Sequence, residues 1–288
     1  MKRTLAVSAL IACVSVAPAC GSSNGDATNG GGAPADRAAT DDGGATHDGG
    51  ALDASGLDWD DATGGNTMGD GAVADASGAT PYVSLKTAGD FVVLAGSAIT
   101  STGFTFVNGN VGISPGTAIT GFPPGIVKGT IHQADAVAAQ AKQDLNDAYN
   151  DAKSRTGAPV TLTGELGGRT LGPGLYVSAS SLGLDSGDLT LDAAGNEDAI
   201  WVFQIASSFV TLQNRKVILV GMARADNVFW NVGSSTTIGL GGVMVGNFLT
   251  QVSITVKTGA VTEGRYLTQT GAVTLDPDTT INRPKPVH

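Results

Sequence analysis

The stretch Ser253-Ile254-Thr255-Val256-Lys257 alternates strictly between polar and apolar residues. Successive side chains of a β-strand point to opposite sides, so this pattern predicts a strand that buries the isoleucine and valine and turns the other three residues outward. The same polar-out, apolar-in step occurs at Thr211-Leu212, Thr237-Ile238 and Thr274-Leu275. The alternation favours a β-solenoid over a β-sandwich, although no constant repeat period accompanies it.

Other short apolar runs surround this stretch and have turn residues on both sides. They lie at 91–95, 189–192, 199–204 and 216–220, and each has the length of a single strand. Most runs are too close together to leave room for the helical crossovers that α/β proteins need. We therefore predict a mainly β domain over residues 81–288.

One segment of this domain has a helical pattern. Residues 134–153 contain neither Gly nor Pro, and Val137, Leu145 and Tyr149 join several alanines at offsets of three, four and seven residues. This predicts one amphipathic helix over about 132–154, whose alanine-rich side packs closely on a flat β surface. Gly157-Ala158-Pro159 ends it.

The N-terminus has the pattern of an export signal. Lys2 and Arg3 precede an apolar run that is too short to span a bilayer. The run ends Ala17-Pro18-Ala19-Cys20, which fits simple signal cleavage after residue 19. It also resembles a bacterial lipobox, in which Cys20 would be lipidated, although a leucine is usual where Ala17 stands. We favour the lipoprotein interpretation, with residues 1–19 as its signal peptide.

Residues 20–80 differ in composition from the rest of the chain. Residues 21–80 hold 11 Asp against one basic residue, Arg37, and few large apolar side chains. Such a segment cannot bury enough apolar surface to offset its chain entropy. We predict a disordered, acidic tether rich in Gly, Asp and Ala, extended by self-repulsion. Residues 81–288 are nearly neutral, with 15 acidic and 13 basic residues.

Charge and residue content exclude several functions. The net charge of −10 argues against nucleic-acid binding, which needs a basic surface. Three scattered histidines and, after the signal, one cysteine make a typical zinc site implausible. We therefore expect no metal and no cofactor.

Catalytic patterns are also weak, and we expect no enzyme. Residues 112–116 match the G-x-S-x-G spelling, but Pro115 has no N–H to donate to an oxyanion. Asp185, Asp188 and Asp192 are close in sequence, as paired carboxylates of a glycosidase could be, but they border a strand where turn roles are expected. His132 precedes the helix, where it is expected to cap or pack.

Residues 84–284 resemble the bacterial and fungal ice-binding protein family, whose domain was long catalogued as a domain of unknown function. The resemblance covers essentially the whole folded domain, in order. The matching stretches are 87–96, 108–116, 121–125, 129–136 with the helix that follows, 164–168, 171–176, 227–235, 264–265 and 271–276. Many relatives carry Cys just before the Asn-Val-Phe-Trp motif, where this chain has Asp226.

The resemblance implies an irregular right-handed β-solenoid of triangular cross-section with one long helix packed alongside. Coils would both precede and follow that helix in sequence. It also implies binding to the surface of an ice crystal through one flat face rich in Thr, Ser and Ala. The candidate outward residues are Thr161, Thr163, Thr190, Thr211, Thr237, Ser253, Thr255 and Thr274. Lys257, beside Thr255, would spoil such a face at its own coil.

Two functions are compatible with such a domain, depending on whether its outward face binds ice. The first is an ice-binding surface lipoprotein, and the second is a structural or adhesive surface module without ice activity. A polysaccharide-active β-helix is a third and weaker alternative. We expect an exported monomer, either a lipoprotein of the outer membrane or cell surface anchored through Cys20, or a secreted protein. Its partners would be ice and the membrane.

Overall fold

The computed structural model describes residues 80–285, so the predicted signal peptide, the proposed lipidation site Cys20 and nearly all of the predicted tether lie outside the described residues. The described chain forms short β-strands that all pair in parallel, two short 3-10 helices (Lys86–Asp90 and Ala225–Asn227) and one α-helix. The strands stack in three ladders, which we call faces 1, 2 and 3. The prediction of a mainly β solenoid is confirmed; its right-handedness stays a prediction.

Face 1 carries the helix, and two of its strands continue around a corner into face 3. Face 1 contains β1 (Phe91–Ala95), β4 (Asn110–Ile113), β7 (Ile131–Gln133), β8 (Val160–Thr161), β11 (Gly174–Ser178), β14 (Trp201–Ile205), β17 (Val228–Val232) and the second halves of β19 (Val243–Thr250) and β21 (Val261–Thr268). The first halves of β19 and β21 pair with strands of face 3.

The other two faces are built from shorter strands. Face 2 contains β2 (Ala98–Ser101), β5 (Ala118–Thr120), β9 (Gly164–Glu165), β12 (Leu182–Leu184), β15 (Phe209–Thr211), β18 (Thr236–Ile238), β20 (Ile254–Val256) and β22 (Val273–Leu275). Face 3 contains β3 (Phe106–Asn108), β6 (Ile126–Val127), β10 (Thr170–Leu171), β13 (Leu189–Asp192), β16 (Val217–Val220), β23 (Thr280–Asn282) and the first halves of β19 and β21.

The order of the coils differs from the order of the chain. The C-terminal strands β21, β22 and β23 stack on the N-terminal strands β1, β2 and β3. The chain therefore builds one end first, ending at β7, and resumes at the opposite end with β8. The nine strands of face 1 span about 38 Å at 4.8 Å per step. A helix of 19 residues covers about 28 Å of that distance.

A column of aromatic rings fills the interior beneath face 1. Tyr176, Phe203, Trp230, Phe248 and Tyr266 occupy equivalent positions on five consecutive strands. Neighbouring ring centroids in this column lie 5.2, 4.2, 5.7 and 5.2 Å apart. Parallel in-register pairing places equivalent positions one above another, so each of these five strands contributes one ring. The column links the coils through stacking as well as through backbone hydrogen bonds.

The corner between faces 3 and 1 requires glycine. Gly246 and Gly264 pair with each other in the middle of β19 and β21. Gly246 has φ +105°, and a Cβ on Gly264 would overlap the carbonyl oxygen of Gly246. Only glycine allows the two backbones to approach this closely where the long strands change face.

The α-helix α1 (Ala136–Ser154) packs on face 1 with its alanine-rich side. Ala141, Leu145 and Tyr149 are buried against Phe229 and Leu249. The predicted close packing is confirmed. The predicted start near residue 132 is wrong, because residues 131–133 pair with β4 as strand β7. The side chain of Asp135 then caps the helix by accepting a hydrogen bond from Ala138 N at 2.8 Å.

One residue that was predicted to lie on the apolar, buried side of the helix is exposed in the structure. Val137 is 50% exposed, because it lies in the first turn on the side away from face 1.

Side-chain amides of face 1 and of the residue that follows β21 also hold the helix in place, by donating hydrogen bonds to its backbone carbonyls. Gln204 donates to Ala152 O at 2.8 Å, Asn231 to Tyr149 O at 2.9 Å and Gln269 to Leu145 O at 3.0 Å.

Asp226, which stands where many relatives have Cys, belongs to a buried polar cluster. Its carboxylate accepts from Arg265 Nη1 at 2.5 Å, and the same nitrogen donates to Asn247 Oδ1 at 2.7 Å. Arg265 Nε donates to Gly89 O at 2.9 Å. The cluster therefore joins the first 3-10 helix to β19, β21 and the segment that enters β17.

Lys142 makes the free energy of unfolding depend on pH in the alkaline range. Its ammonium group donates to Thr268 O and Gln269 O, and burial lowers its pKa to about 8. An unfolded chain titrates lysine near 10.4, so between these values the unfolded state binds more protons and stability rises with pH. From pH 7 to 10 we expect the free energy of unfolding of the wild type to rise by about 1–3 kcal/mol relative to Lys142→Met. Urea titrations at both pH values measure this difference. Parallel pH profiles of the two proteins would contradict the prediction.

Candidate functional site

A row of aligned outward threonines crosses face 2. Thr120 pairs with Thr100, Thr100 with Thr274, Thr274 with Thr255, and Thr255 with Thr237. We call these five residues the threonine row. The row continues through Val210, Gly183 and Glu165 on the remaining strands. Five hydroxyls and five methyl groups thus repeat at the strand spacing of about 4.8 Å.

A second row of outward positions, which we call the small-residue row, runs beside the first. Each member lies two residues before the matching member of the first row, on the same side of its strand. The row consists of Ala118, Ala98, Ala272, Ser253, Ser235, Ser208 and Ser181. Ser235 Oγ and Ser253 Oγ lie 3.2 Å apart. The two rows together form a surface of small, uncharged side chains on face 2, and the α-helix of the described chain lies on face 1.

A repeated local pattern produces both rows. Residues 98–100 and 118–120 both read Ala-Ile-Thr, 272–274 read Ala-Val-Thr and 253–255 read Ser-Ile-Thr. The middle residue of each turns inward to the core, and the other two flank it outside. β-Branched residues suit such a half-buried pleated surface. This pattern of a small residue, an aliphatic residue and Thr could have revealed Thr100 and Thr120, which the sequence analysis missed.

Charged side chains lie at the borders of this surface. Lys257 Nζ lies 3.3 Å from Asp276 Oδ2, beside the threonine row and just after the C-terminal ends of β20 and β22. Glu165 closes the far end, where its carboxylate accepts from the backbone N–H of Asp185 at 3.0 Å and of Gly167 at 2.5 Å. Burial favours the neutral form of Glu165, but these backbone hydrogen bonds outweigh it and hold its pKa below the usual value.

Four of the eight predicted candidates meet on face 2. Thr237, Thr255 and Thr274 belong to the threonine row and Ser253 to the small-residue row. Thr163 immediately precedes β9, the last strand of that face. The other two exposed candidates lie elsewhere: Thr190 faces outward on β13 of face 3, and Thr161 ends β8 of face 1.

The prediction for the eighth candidate, Thr211, is wrong. Thr211 is 2% exposed, and its hydroxyl accepts a hydrogen bond from Gly239 N at 2.9 Å. Leu212 is 51% exposed, so the expected polar-out, apolar-in step is inverted here. The phase of β15 is set by Phe209, which is buried and stacks on Trp230 with ring centroids 4.8 Å apart. The side chains of residues 209 and 211 must share one side of the strand.

Three of the residues considered for catalysis, His132, Asp188 and Asp192, make local hydrogen bonds. Ser114 follows β4 and leads to a strand, whereas a nucleophile elbow needs a helix there. His132 Nδ1 lies 2.8 Å from Asp135 Oδ2, and its ring packs edge-on against Phe91. Asp188 accepts from Lys216 N and Asp192 from Ala194 N, both at 2.8 Å.

The described residues contain neither a cluster that could hold a metal ion nor a helix that could span a membrane. Over 80–285, His, Cys, Asp and Glu do not come together in any group of three or more that could hold a metal ion. The α-helix in that range is not apolar enough to cross a bilayer. Face 2 offers an extended, regular surface of hydroxyl and methyl groups, as the register of its strands shows.

The family model described as ice-binding-like matches residues 93–281, which is most of the chain and includes both rows of face 2. The chain belongs to this family. Among relatives of the ice-binding-like family, an ice-binding protein of Nostoc sp. is 46% identical over 194 residues, covering 67% of this chain and 71% of its own. An ice-binding protein of Colwellia sp. is 36% identical over 236 residues, covering 75% and 90%.

Solved structures of the family show the same fold. The crystal structure of an ice-binding protein from an Antarctic biological consortium matches with a TM-score of 0.71 and 48% identity, covering 72% of this chain and 93% of that one. The ice-binding protein of the Antarctic ascomycete Antarctomyces psychrotrophicus matches with a TM-score of 0.68 and 38% identity, covering 72% and 100%.

Proposed function

We propose that this protein binds ice through the threonine row and the small-residue row of face 2. The observation that carries the proposal is the unbroken alignment of Thr120, Thr100, Thr274, Thr255 and Thr237 on five neighbouring strands. Membership in a family whose relatives are named for ice binding supports it. That membership favours ice over the alternative of an adhesive module without ice activity.

The physical basis is a match between two regular surfaces. Ice presents a fixed lattice of oxygen atoms, and a rigid row of small side chains can order water into a layer that continues this lattice. Threonine supplies a methyl group that cages water and a hydroxyl that anchors it. Large or charged side chains would prevent such a layer, because water orders around a charge in its own geometry. Protein adsorbed in this way curves the ice front and arrests its growth.

The proposed site contains only some of the residues predicted from the sequence. Thr237, Ser253, Thr255 and Thr274 stay in the proposed site, and Thr100 and Thr120 join it. Thr161 and Thr190 are left out because they lie on faces 1 and 3. Thr163 lies beside Glu165, whose carboxylate closes this end of face 2.

Thermal hysteresis of the purified chain, recorded with the shape of the growing ice crystal, tests the proposal. We expect a gap between melting and freezing temperatures, together with faceted crystals. The expectation follows from an adsorbing surface that covers most coils of the solenoid. Crystals that grow round and freely at high protein concentration would overturn it.

We also propose that residues 1–19 are an export signal, that Cys20 carries the lipid anchor, and that residues 20–80 tether the domain to the membrane. The basic start and apolar run of the signal and the acidic, glycine-rich composition of the tether support this arrangement. Bacterial lipoproteins carry several acyl chains, which gives stable anchoring where one chain would bind weakly. An anchored ice-binding domain would hold the cell to ice or protect its surface.

Replacing the proposed lipidation site tests this anchor. We expect Cys20→Ala to move the protein from the membrane fraction to the soluble exported fraction, because the acyl chains can no longer attach. Cell fractionation with immunoblotting measures the shift, and Cys13→Ala, inside the signal, serves as the matched control. Equal membrane association of the wild type and Cys20→Ala would overturn the lipoprotein assignment, and a wild type found in the soluble exported fraction would show simple secretion instead.

We propose further that the domain is a monomer. The strands at one end, β8, β9 and β10, are only two residues long, and at the other end Pro123 and Pro124 precede β6. Short strands and prolines protect sheet edges from pairing with other chains. Light scattering after size exclusion gives the mass directly, and a dimer mass would overturn this assignment.

A further inference from the structure

An ion pair between Lys257 and Asp276 lies at the border of face 2. The two residues directly follow Val256 and Leu275, which are register partners on β20 and β22. Asp276 N donates to Val256 O at 2.9 Å, so the ladder still runs regularly at this point. Lys257 Nζ lies 3.3 Å from Asp276 Oδ2, with side chains 48% and 22% exposed.

The position of Lys257 gives this pair its importance. Lys257 lies two residues after Thr255 and therefore projects from the same side of the strand. Its flexible four-carbon stem is long enough to reach over the neighbouring threonine, and its ammonium group is strongly hydrated. An unrestrained Lys257 would bring a charge with its own water shell onto the threonine row at Thr255.

Asp276 is well placed to prevent this. Asp276 directly follows the adjacent strand, two residues beyond Thr274. Its carboxylate also accepts a hydrogen bond from Thr102 Oγ1 at 3.4 Å. The carboxylate thus draws Lys257 sideways along the border, parallel to the threonine row. The two opposite charges also cancel at the edge of the surface.

Building on the proposed ice-binding function, we infer that Asp276 is a positioning residue that holds the ammonium group of Lys257 away from the ice-contacting row. Asp276 acts through Lys257 and makes no ice contact of its own. The sequence alone favours the opposite view, in which Lys257 spoils its coil, because the partner 19 residues downstream becomes a neighbour only when β20 and β22 pair.

A double-mutant cycle on the purified full chain tests this role. Thermal hysteresis is measured at equal molar concentration for the wild type, Asp276→Asn, Lys257→Ala and the double variant. We expect Asp276→Asn to reduce hysteresis by up to about fivefold, because loss of an exposed ion pair changes the population of restrained Lys257 by at most about that factor. Lys257→Ala should retain the wild-type value, and the double variant should recover it.

Melting temperatures of the four proteins separate this role from a structural one. A loss of stability in Asp276→Asn would persist in the double variant, whereas repositioning of Lys257 cannot. Recovery of hysteresis in the double variant supports the inference. An unchanged Asp276→Asn, or a double variant no more active than Asp276→Asn, would overturn it while leaving the ice-binding proposal intact. A wild-type chain without hysteresis would overturn both.

Discussion

Thr255→Tyr should abolish most of the ice activity of this protein. Thr255 is the fourth of the five residues of the threonine row, between Thr274 and Thr237, and its strand β20 is the central one of the seven strands that carry the two rows. A tyrosine ring would stand above the level of its neighbours and hold the whole face away from the ice lattice. We expect thermal hysteresis to fall about tenfold or more, since disruption at the centre of a contact surface has the largest effect.

Thr190→Tyr provides the matched control for this substitution. Thr190 makes the same outward step on β13 between buried Leu189 and Leu191, but on face 3. Both substitutions add the same ring to a strand of the same solenoid, so effects on solubility and strand propensity cancel. Hysteresis close to that of the wild type is expected for Thr190→Tyr. Equal losses in the two variants would contradict the assignment of the site to face 2.

Trp230→Ala should have the largest effect on stability. Trp230 is fully buried, stacks on Phe203 with ring centroids 4.2 Å apart, and donates from Nε1 to Val245 O at 2.9 Å. Truncation of a buried tryptophan costs about 3–5 kcal/mol, because it removes apolar burial and leaves a cavity. That is a large share of the roughly 5–15 kcal/mol that stabilises a typical domain. The free energy of unfolding from urea titration measures the loss.

An exposed aromatic residue serves as the control for Trp230. Phe104 is 55% exposed, so Phe104→Ala should change the free energy of unfolding by no more than about 0.5 kcal/mol. A loss below about 1 kcal/mol in Trp230→Ala would show that the aromatic column does not hold the coils together.

Alternation along single strands could be predicted from the sequence, and it located much of the proposed site. Ser253, Thr255 and Thr274 face outward as expected because their neighbours are strongly apolar. The failure at Thr211 has a different cause. Phe209 and Leu212 both compete for the interior, and the stack on Trp230 decides in favour of Phe209. That ring is contributed by a different coil, so local alternation could not reveal the outcome.

The alternation within a single strand could not predict to which face of the solenoid that strand belongs. Thr190 has the same alternation as Thr255, yet the two strands belong to different faces. Thr100 belongs beside Thr274 although 174 positions separate their numbers, because the last coil stacks on the first. The helix boundary shifted for a similar reason. Residues 131–133 can follow a helical pattern, but they form strand β7 because they pair with β4.

The most direct test of the central claim is to image which variants a growing ice crystal takes up. The wild type, Thr255→Tyr and Thr190→Tyr, each labelled with the same fluorophore, would be present while a single ice crystal grows. If face 2 binds ice, the wild type and Thr190→Tyr will label defined crystal planes, and Thr255→Tyr will be excluded from them. Labelling by Thr255→Tyr equal to that of the wild type, or loss of labelling in Thr190→Tyr alone, would contradict the assignment.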